Sequence, residues 1–316
     1  MRVSLGLPTH RVDQGADLVS GSAIGELSAA AEEAGFGAVY VTEHPFPTTA
    51  WLDGGGHHAL DPLVALSFAA AATRTIRLHT NLFVAAYRNP FLAAKGLSTL
   101  DVLSGGRLVV GVGAGYLEGE YDALGGAFAT RNDDTDAALA AWRAAWTGES
   151  VVAEGDGWRA PGNTMLPRPA QQPGPPIWIG GNSKRAIRRA VELADGWSPF
   201  PTSPAVATAT RTAALRTPED LAGRLDYARE HAASIGRTGP FDVAFIPRGL
   251  RMGAGEPVDA DAVVASCAAL AAVGVNWITV AFAEGTRDGQ LAQIATWATD
   301  VLPALAELEA TPVLPA

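Results

Sequence analysis

Three clusters of residues in this 316-residue chain have the types and spacing to do chemistry. The first is Thr42-Glu43-His44-Pro45, where a short apolar run ends. A carboxylate beside an imidazole at a strand end can polarise or protonate a substrate, and His titrates nearest neutral pH. An equally good account of the same residues has Glu43 tying down a loop and His44 filling space. The second cluster is Gly111-Val112-Gly113-Ala114-Gly115-Tyr116. Glycines after a strand let the backbone approach a flat ring or a phosphate closely. This run lacks the sixth-position glycine and following helix of a dinucleotide fingerprint, so alone it reads as a turn. The third is Gly180-Gly181-Asn182-Ser183-Lys184-Arg185, where a strand passes into a helix. Free amides at a helix N-terminus, helped by the Ser183 hydroxyl, make a phosphate site. The simpler alternative is an N-cap at Asn182 or Ser183.

Other conspicuous residues say less. His57 and His58 follow three glycines, and neighbouring side chains on extended backbone point to opposite faces, which is poor geometry for chelating one metal. No third ligand is spaced to join them, so no metal site is expected. Trp51, Trp158 and Trp197 read as core or loop anchors rather than an aromatic pocket. The single Cys267 lies in an alanine-rich helical pattern and reads as a buried thiol.

These clusters need a scaffold, and the chain supplies one by alternating strand-like with helix-like segments eight times. Strands are expected near residues 3–7, 38–42, 76–83, 108–112, 176–179, 196–199, 242–247 and 276–281. Helices are expected over 23–34, from Asp61-Pro62, over 91–103, 133–146, 185–194, from Pro218 to about 236, over 259–273 and over 290–308. Asp61 before Pro62 is an N-cap with proline in the first turn, and the glycine after 23–34 is a stop. Eight βα units in one chain fit a (β/α)8 TIM barrel better than an open sheet, because closure leaves no edge unpaired. A single domain over 1–316 is expected, its active site among the loops after the strands. Two stretches rich in Pro, inserted after strands 4 and 6, exceed what a barrel needs: 147–175 and 200–217. Each could be a lid or surface decoration.

Composition narrows the partners. Thirty-three acidic against 23 basic residues give a formal charge of −10, with no Lys/Arg run, which argues against nucleic acid or anionic membrane. The uncharged stretch 262–283 is long enough to span a bilayer, but Gly274-Val275-Asn276 divides it into a helix and a β-branched strand. The N-terminus has no basic region followed by an apolar core, so a cytoplasmic location is expected.

The segment RNPFLAAKGLSTLDVLSGGRLVVGVGAGYLEGEYDALG, with PPIWIGGNSKRAIRRAVELADGW downstream and TEHP upstream, resembles the luciferase-like monooxygenase superfamily, most closely its coenzyme F420-dependent oxidoreductase branch. The resemblance runs from the first strand to Ala281 and is weaker beyond Trp197. It implies a tricyclic ring lying across the barrel mouth, with a non-prolyl cis peptide at the third strand end, within residues 81–84. It implies cofactor contacts at Thr80, Asn81 and Leu82, at Gly113, Ala114, Gly115 and Tyr116, and a phosphate held by Gly180, Gly181, Asn182 and Ser183. His44 would donate or accept the proton, and Glu43 would orient it or touch substrate. Many members carry aspartate where Glu43 stands, and residues 51–60 match no usable pattern. The implied cofactor is F420, with FMN as the alternative, the substrate a small organic molecule, and the assembly a homodimer. Competing classes are an FMN-dependent monooxygenase, a non-catalytic F420- or flavin-binding protein, and a metal-dependent barrel hydrolase.

Overall fold

Eight short strands of mostly β-branched and small residues pair in parallel and close on themselves in the computed structural model, which describes residues 1–247 and 258–315. The elements in order are β1 (Arg2–Gly6), α1 (Gly21–Ala34), β2 (Ala38–Val41), α2 (Thr49–Asp53), α3 (Pro62–Ala72), β3 (Arg77–Val84), α4 (Pro90–Ser104) and β4 (Leu108–Gly113). Then come α5 (Glu118–Leu124), α6 (Arg131–Ala145), β5 (Val151–Gly155), β6 (Trp158–Asn163), β7 (Ile177–Gly180), α7 (Lys184–Leu193), β8 (Gly196–Ser198) and α8 (Pro204–Ala209). The chain finishes with α9 (Pro218–Ser234), β9 (Asp242–Phe245), α10 (Ala260–Val273), β10 (Trp277–Val280), α11 (Arg287–Asp300) and α12 (Leu302–Ala306). Around the barrel the order is β1-β10-β9-β8-β7-β4-β3-β2, so this is the expected (β/α)8 TIM barrel. The expectation of one domain over 1–316 includes residues 248–257 and 316, which lie outside the described residues.

Alternation along each strand produces two cores. Outward residues such as Leu5, Val39, Leu78, Val110, Ile179 and Ile278 pack under helix residues Leu27, Leu66, Leu97 and Leu139. Inward residues Ala38, Val109, Trp178, Ala244 and Trp277 plug the barrel interior. Trp178 fits there because Gly196 faces it: a Cβ at Gly196 would lie 2.6 Å from the Trp178 ring. A plugged interior leaves only the strand ends to host a ligand.

The caps read from sequence are present. Asp61 accepts from the Leu63 and Val64 N–H groups at 2.9 and 3.0 Å. Asn89 does the same for Phe91 and Leu92 at the start of α4, again before a proline. At the far end of the barrel, Arg107 is buried, and among the described residues no carboxylate pairs with it. Its guanidinium instead donates to Ser104 O, Thr73 Oγ1, Ile76 O, Ala70 O and Thr73 O at 2.7–3.3 Å. That fan ties the ends of α3 and α4 to the start of β3.

The structure departs from the sequence expectation in the connections. The helix expected over 290–308 breaks at Val301 into α11 and α12, since Pro303 can donate no helical hydrogen bond. Stretch 262–283 divides at Gly274 into α10 and β10 as expected, and among the described residues no helix is long and apolar enough to cross a membrane. Stretch 147–175 holds the antiparallel hairpin β5–β6, turning at Asp156-Gly157 with Gly157 at φ +72°. It precedes β7, and Gln171 pins it through its side chain to Asp101 and to Leu108 O, so it decorates the flank rather than covering the mouth. Stretch 200–217 is different. It carries α8 and a bridge between Thr202 and Leu215, and it walls the mouth.

Candidate active site

The C-terminal ends of β2, β3, β4 and β8 surround a cavity of about 290 Å3. Its walls are mostly apolar, from Leu82, Val84, Leu117, Phe200 and Ile246, with Tyr40, Thr42, Asn81, Ser198 and Thr279 offering neutral polar groups. The Asn81-Leu82 peptide is cis, within the stretch where one was expected. Leu82 can occupy the slot because its neighbours are glycines. A Cβ at Gly113 would come within 3.3 Å of the Leu82 side chain, and one at Gly180 within 2.1 Å.

Glu43 lines this cavity but is 5% exposed and already committed. Its carboxylate accepts from the Val84 N–H at 2.6 Å and from the Arg88 guanidinium. Burial pushes its pKa above the ordinary carboxylate range, and the Arg88 charge offsets part of that rise. Arg88 in turn lies over the Phe83 ring, 4.1 Å from its centroid. Glu43 therefore clamps the end of β3 to β2.

The carboxylate on His44 is a different one. Glu120, fully buried on α5, faces His44 Nδ1 at 3.4 Å, and it accepts from the Tyr87 hydroxyl at 2.7 Å and the Phe46 N–H at 3.2 Å. A carboxylate partner assigns the neutral ring's proton to Nδ1 and leaves Nε2 as the free nitrogen. Burial and that same hydrogen bond push the Tyr87 hydroxyl far up, so it stays a donor. The His44 ring packs against Trp51 and His57, with centroids at 4.5 and 4.9 Å, and meets Tyr116 at 6.0 Å. Trp51 and His57 come from the segment that matched no pattern. Among the described residues no three His, Cys, Asp or Glu side chains are grouped to hold a metal ion.

A second cavity, about 170 Å3, adjoins the first; Leu82, Gly113, Gly115, Tyr116 and Phe200 line both. Here the walls turn polar and cationic: Ala114, Gly180, Gly181 and Ser183 from the strand ends, Arg131 and Asn132 from α6, Arg189 from α7, and Thr210, Arg211 and Thr212 after α8. Ser183 caps α7, accepting from the Ala186 N–H at 3.1 Å, so the helix start faces the cavity. Gly181 adopts φ +97°, a conformation L side chains avoid.

Most of the residues read from sequence converge, and two do not reach the cleft. Thr80 is fully buried and spends its hydroxyl on Gly111 O at 3.0 Å. Asn182 is also fully buried. Its amide donates to Phe200 O and Ala213 O and its oxygen accepts from the Phe200 N–H, so it staples the cleft wall rather than facing a ligand. The expectation that Glu43 would orient His44 is likewise corrected, because Glu43 is bonded to Arg88 and Val84 and Glu120 takes that place. Glu120 and Arg131, Arg189 and Arg211 were missed. For Glu120 the signal was weak: an acidic residue in a charged segment reads as solvated surface. Trp197 is buried and donates to Gly181 O at 2.8 Å, while Trp158 packs on Phe91 in the hairpin; neither lines the mouth. Burial in α10 pushes the Cys267 thiol up to about 12, which keeps it unreactive.

The sequence profile of the luciferase-like monooxygenase family matches residues 1–250. The chain belongs to the luciferase-like monooxygenase family. Within the family it is 33% identical over 208 residues to an F420-dependent glucose-6-phosphate dehydrogenase of Nakamurella multipartita, covering 64% of this chain and 59% of that protein. It is 34% identical over 110 residues to an FMNH2-dependent dimethylsulfone monooxygenase of Pseudomonas putida, covering 34% of this chain and 30% of that one. The aligned region thus spans under two thirds of the length of either relative. The fold superposes on monooxygenase RslO1 from Streptomyces bottropensis with a TM-score of 0.75 at 23% identity, over 96% of this chain and 99% of the other.

Proposed function

We propose that the protein is an F420-dependent oxidoreductase that moves a hydride between the deazaflavin C5 and a small organic substrate beside His44. The observation that carries this is the adjacency of the two cavities across five shared wall residues: a mostly apolar slot fit for a flat ring lies beside a cationic, helix-capped cradle fit for a phosphate. The glycines at 113, 115, 180 and 181 keep side chains out of these cavities. Leu82, Val84 and Phe200 would face the ring; Gly180, Gly181 and Ser183 would hold the phosphate. The cofactor, when bound, supplies the hydride chemistry. F420 is favoured over FMN because the F420-dependent relative aligns with 64% of the chain against 34% for the FMNH2-dependent one.

What remains for the chain is a single proton and dry surroundings. His44 lines the cavity, and Glu120 keeps its Nδ1 protonated in the neutral ring, which leaves Nε2 to accept a proton from a substrate hydroxyl or, once protonated, to return it. Glu43 positions the β3 end against which the ring would lie, and the apolar wall excludes water. Parallel fluorescence titrations with F420 and FMN test the reading. F420 should bind at least about tenfold more tightly, a difference of roughly 1.4 kcal/mol; tighter FMN binding would overturn it. Replacement of His44 by alanine should then abolish turnover on any substrate found.

A further inference from the structure

The cradle contains three arginines, and their surroundings are not alike. Arg189 is a structural residue: its side chain is 4% exposed, its Nε donates to Asp136, and its Nη2 donates to Asn132 O at 2.8 Å. Its charge is spent. Arg131 and Arg211 instead sit on one aromatic ring, with guanidinium carbons 3.9 and 4.4 Å from the Phe128 centroid. Stacking of this kind orients a guanidinium plane while leaving its edge donors free. Among the described residues the Arg131 guanidinium makes one hydrogen bond, to Phe128 O at 2.8 Å, and no carboxylate lies within ion-pair distance of it. Arg211 pairs with Glu118 at 3.0 Å, but both side chains are half-exposed, so an incoming anion competes with that pair on easy terms.

The backbone under Arg211 points the same way. Arg211 is the single non-glycine residue with positive φ among the described residues, at +51°. Such a conformation persists only where the surroundings enforce it, and it clusters at ligand sites. Here the enforcement is visible: Thr212 N donates to Ala207 O at 2.9 Å, and Thr212 Oγ1 accepts from the Asn182 N–H at 2.9 Å. Two preset cations at the cradle of a chain with a net charge of −10 are poorly explained as surface decoration.

We propose that Arg131 and Arg211, held on Phe128, form a clamp for the anionic tail of the cofactor, contributing affinity through tail charge rather than through the ring. The clamp rests on the cofactor-binding reading above but not on the choice of F420, since FMN also carries a phosphate.

The test uses two ligand pairs on the intact protein: F420 against its neutral deazaflavin riboside, and FMN against riboflavin, each titrated by fluorescence with wild type, Arg131→Gln and Arg211→Gln. Wild type should prefer the charged member of the pair it binds. Each substitution should weaken that charged member by about 10- to 100-fold and leave the neutral member within about twofold. Binding of the neutral member also shows that the variant is folded. Equal losses for charged and neutral ligands, no loss for either, or no preference in wild type would overturn the clamp. Should only the FMN pair bind, the F420 assignment fails and the clamp is judged on FMN against riboflavin. If none of the four ligands binds, both ideas fall.

Discussion

Replacing Glu120 by glutamine tests the tautomer assignment on which the proton step depends. Glu120 takes three donors in a fully buried site: Tyr87 OH at 2.7 Å, Phe46 N at 3.2 Å and His44 Nδ1 at 3.4 Å. Glutamine has the same shape but one oxygen and one NH2 group. With its oxygen kept on the Phe46 N–H, its nitrogen must face Tyr87 and His44, and it can donate to Nδ1 only if the imidazole proton moves to Nε2. Three charge-assisted bonds become neutral ones at about 1 kcal/mol each, a loss of about 3 kcal/mol. For a chain of this length that lowers Tm by roughly 5 °C. The effect on chemistry should be larger, because a neutral imidazole protonated at Nε2 cannot accept a proton there; kcat should fall by about 100-fold or more. Long-range 15N–1H NMR of labelled histidine reads the tautomer directly and needs no substrate. If His44 in Glu120→Gln keeps its proton on Nδ1, Glu120 does not set the tautomer and the mechanism loses its second residue.

Three further outcomes are expected. Gly180→Ala puts a Cβ 2.1 Å from Leu82 Cδ1, so Leu82 must leave its slot; cofactor affinity should drop at least about tenfold for roughly 1–3 kcal/mol of stability, read by titration and urea unfolding together. Arg107→Met strands four carbonyls and the Thr73 hydroxyl that the guanidinium satisfied, and should cost about 3–5 kcal/mol in a urea melt while leaving the mouth untouched. Glu32 accepts from the N–H groups of Arg74, Thr75 and Ile76 and from the Thr75 hydroxyl; these bonds overcome the opposing effect of burial and hold its carboxyl at about 2, below the ordinary 4.5. Because the folded value is depressed, this stabilisation is complete above pH 4.5 and disappears as pH falls towards 2. After discounting for solvent screening it is about 1 kcal/mol, and Glu32→Gln should flatten the stability curve over that window.

The fold was largely legible before any coordinates, and the reason is local. Apolar runs of four to eight residues, caps such as Asp61-Pro62 and the glycine stops act within one turn or one strand, so eight alternating units could be counted and closed into a barrel. Where local chemistry was overlooked, detail was lost: Asp156-Gly157 between two short strands is a hairpin signal, hidden among prolines. The candidate site was half legible. Glycines at strand ends showed where backbone could come close to a ligand, which placed Gly113, Gly115, Gly180 and Gly181 correctly on the cleft.

What the tertiary structure alone decided is which side chains meet. Glu120 joins His44 across 76 residues and Tyr87 across 33, while Arg211 meets Glu118 across 93. Asn182 and Thr80 stand where the family resemblance implied ligand contacts, yet both turn into the protein because buried carbonyls nearby required donors. Spacing along a chain determines which face of an element a residue occupies. Whether that face holds a ligand depends on partners brought in by barrel closure, and their pairing leaves no local trace in the sequence.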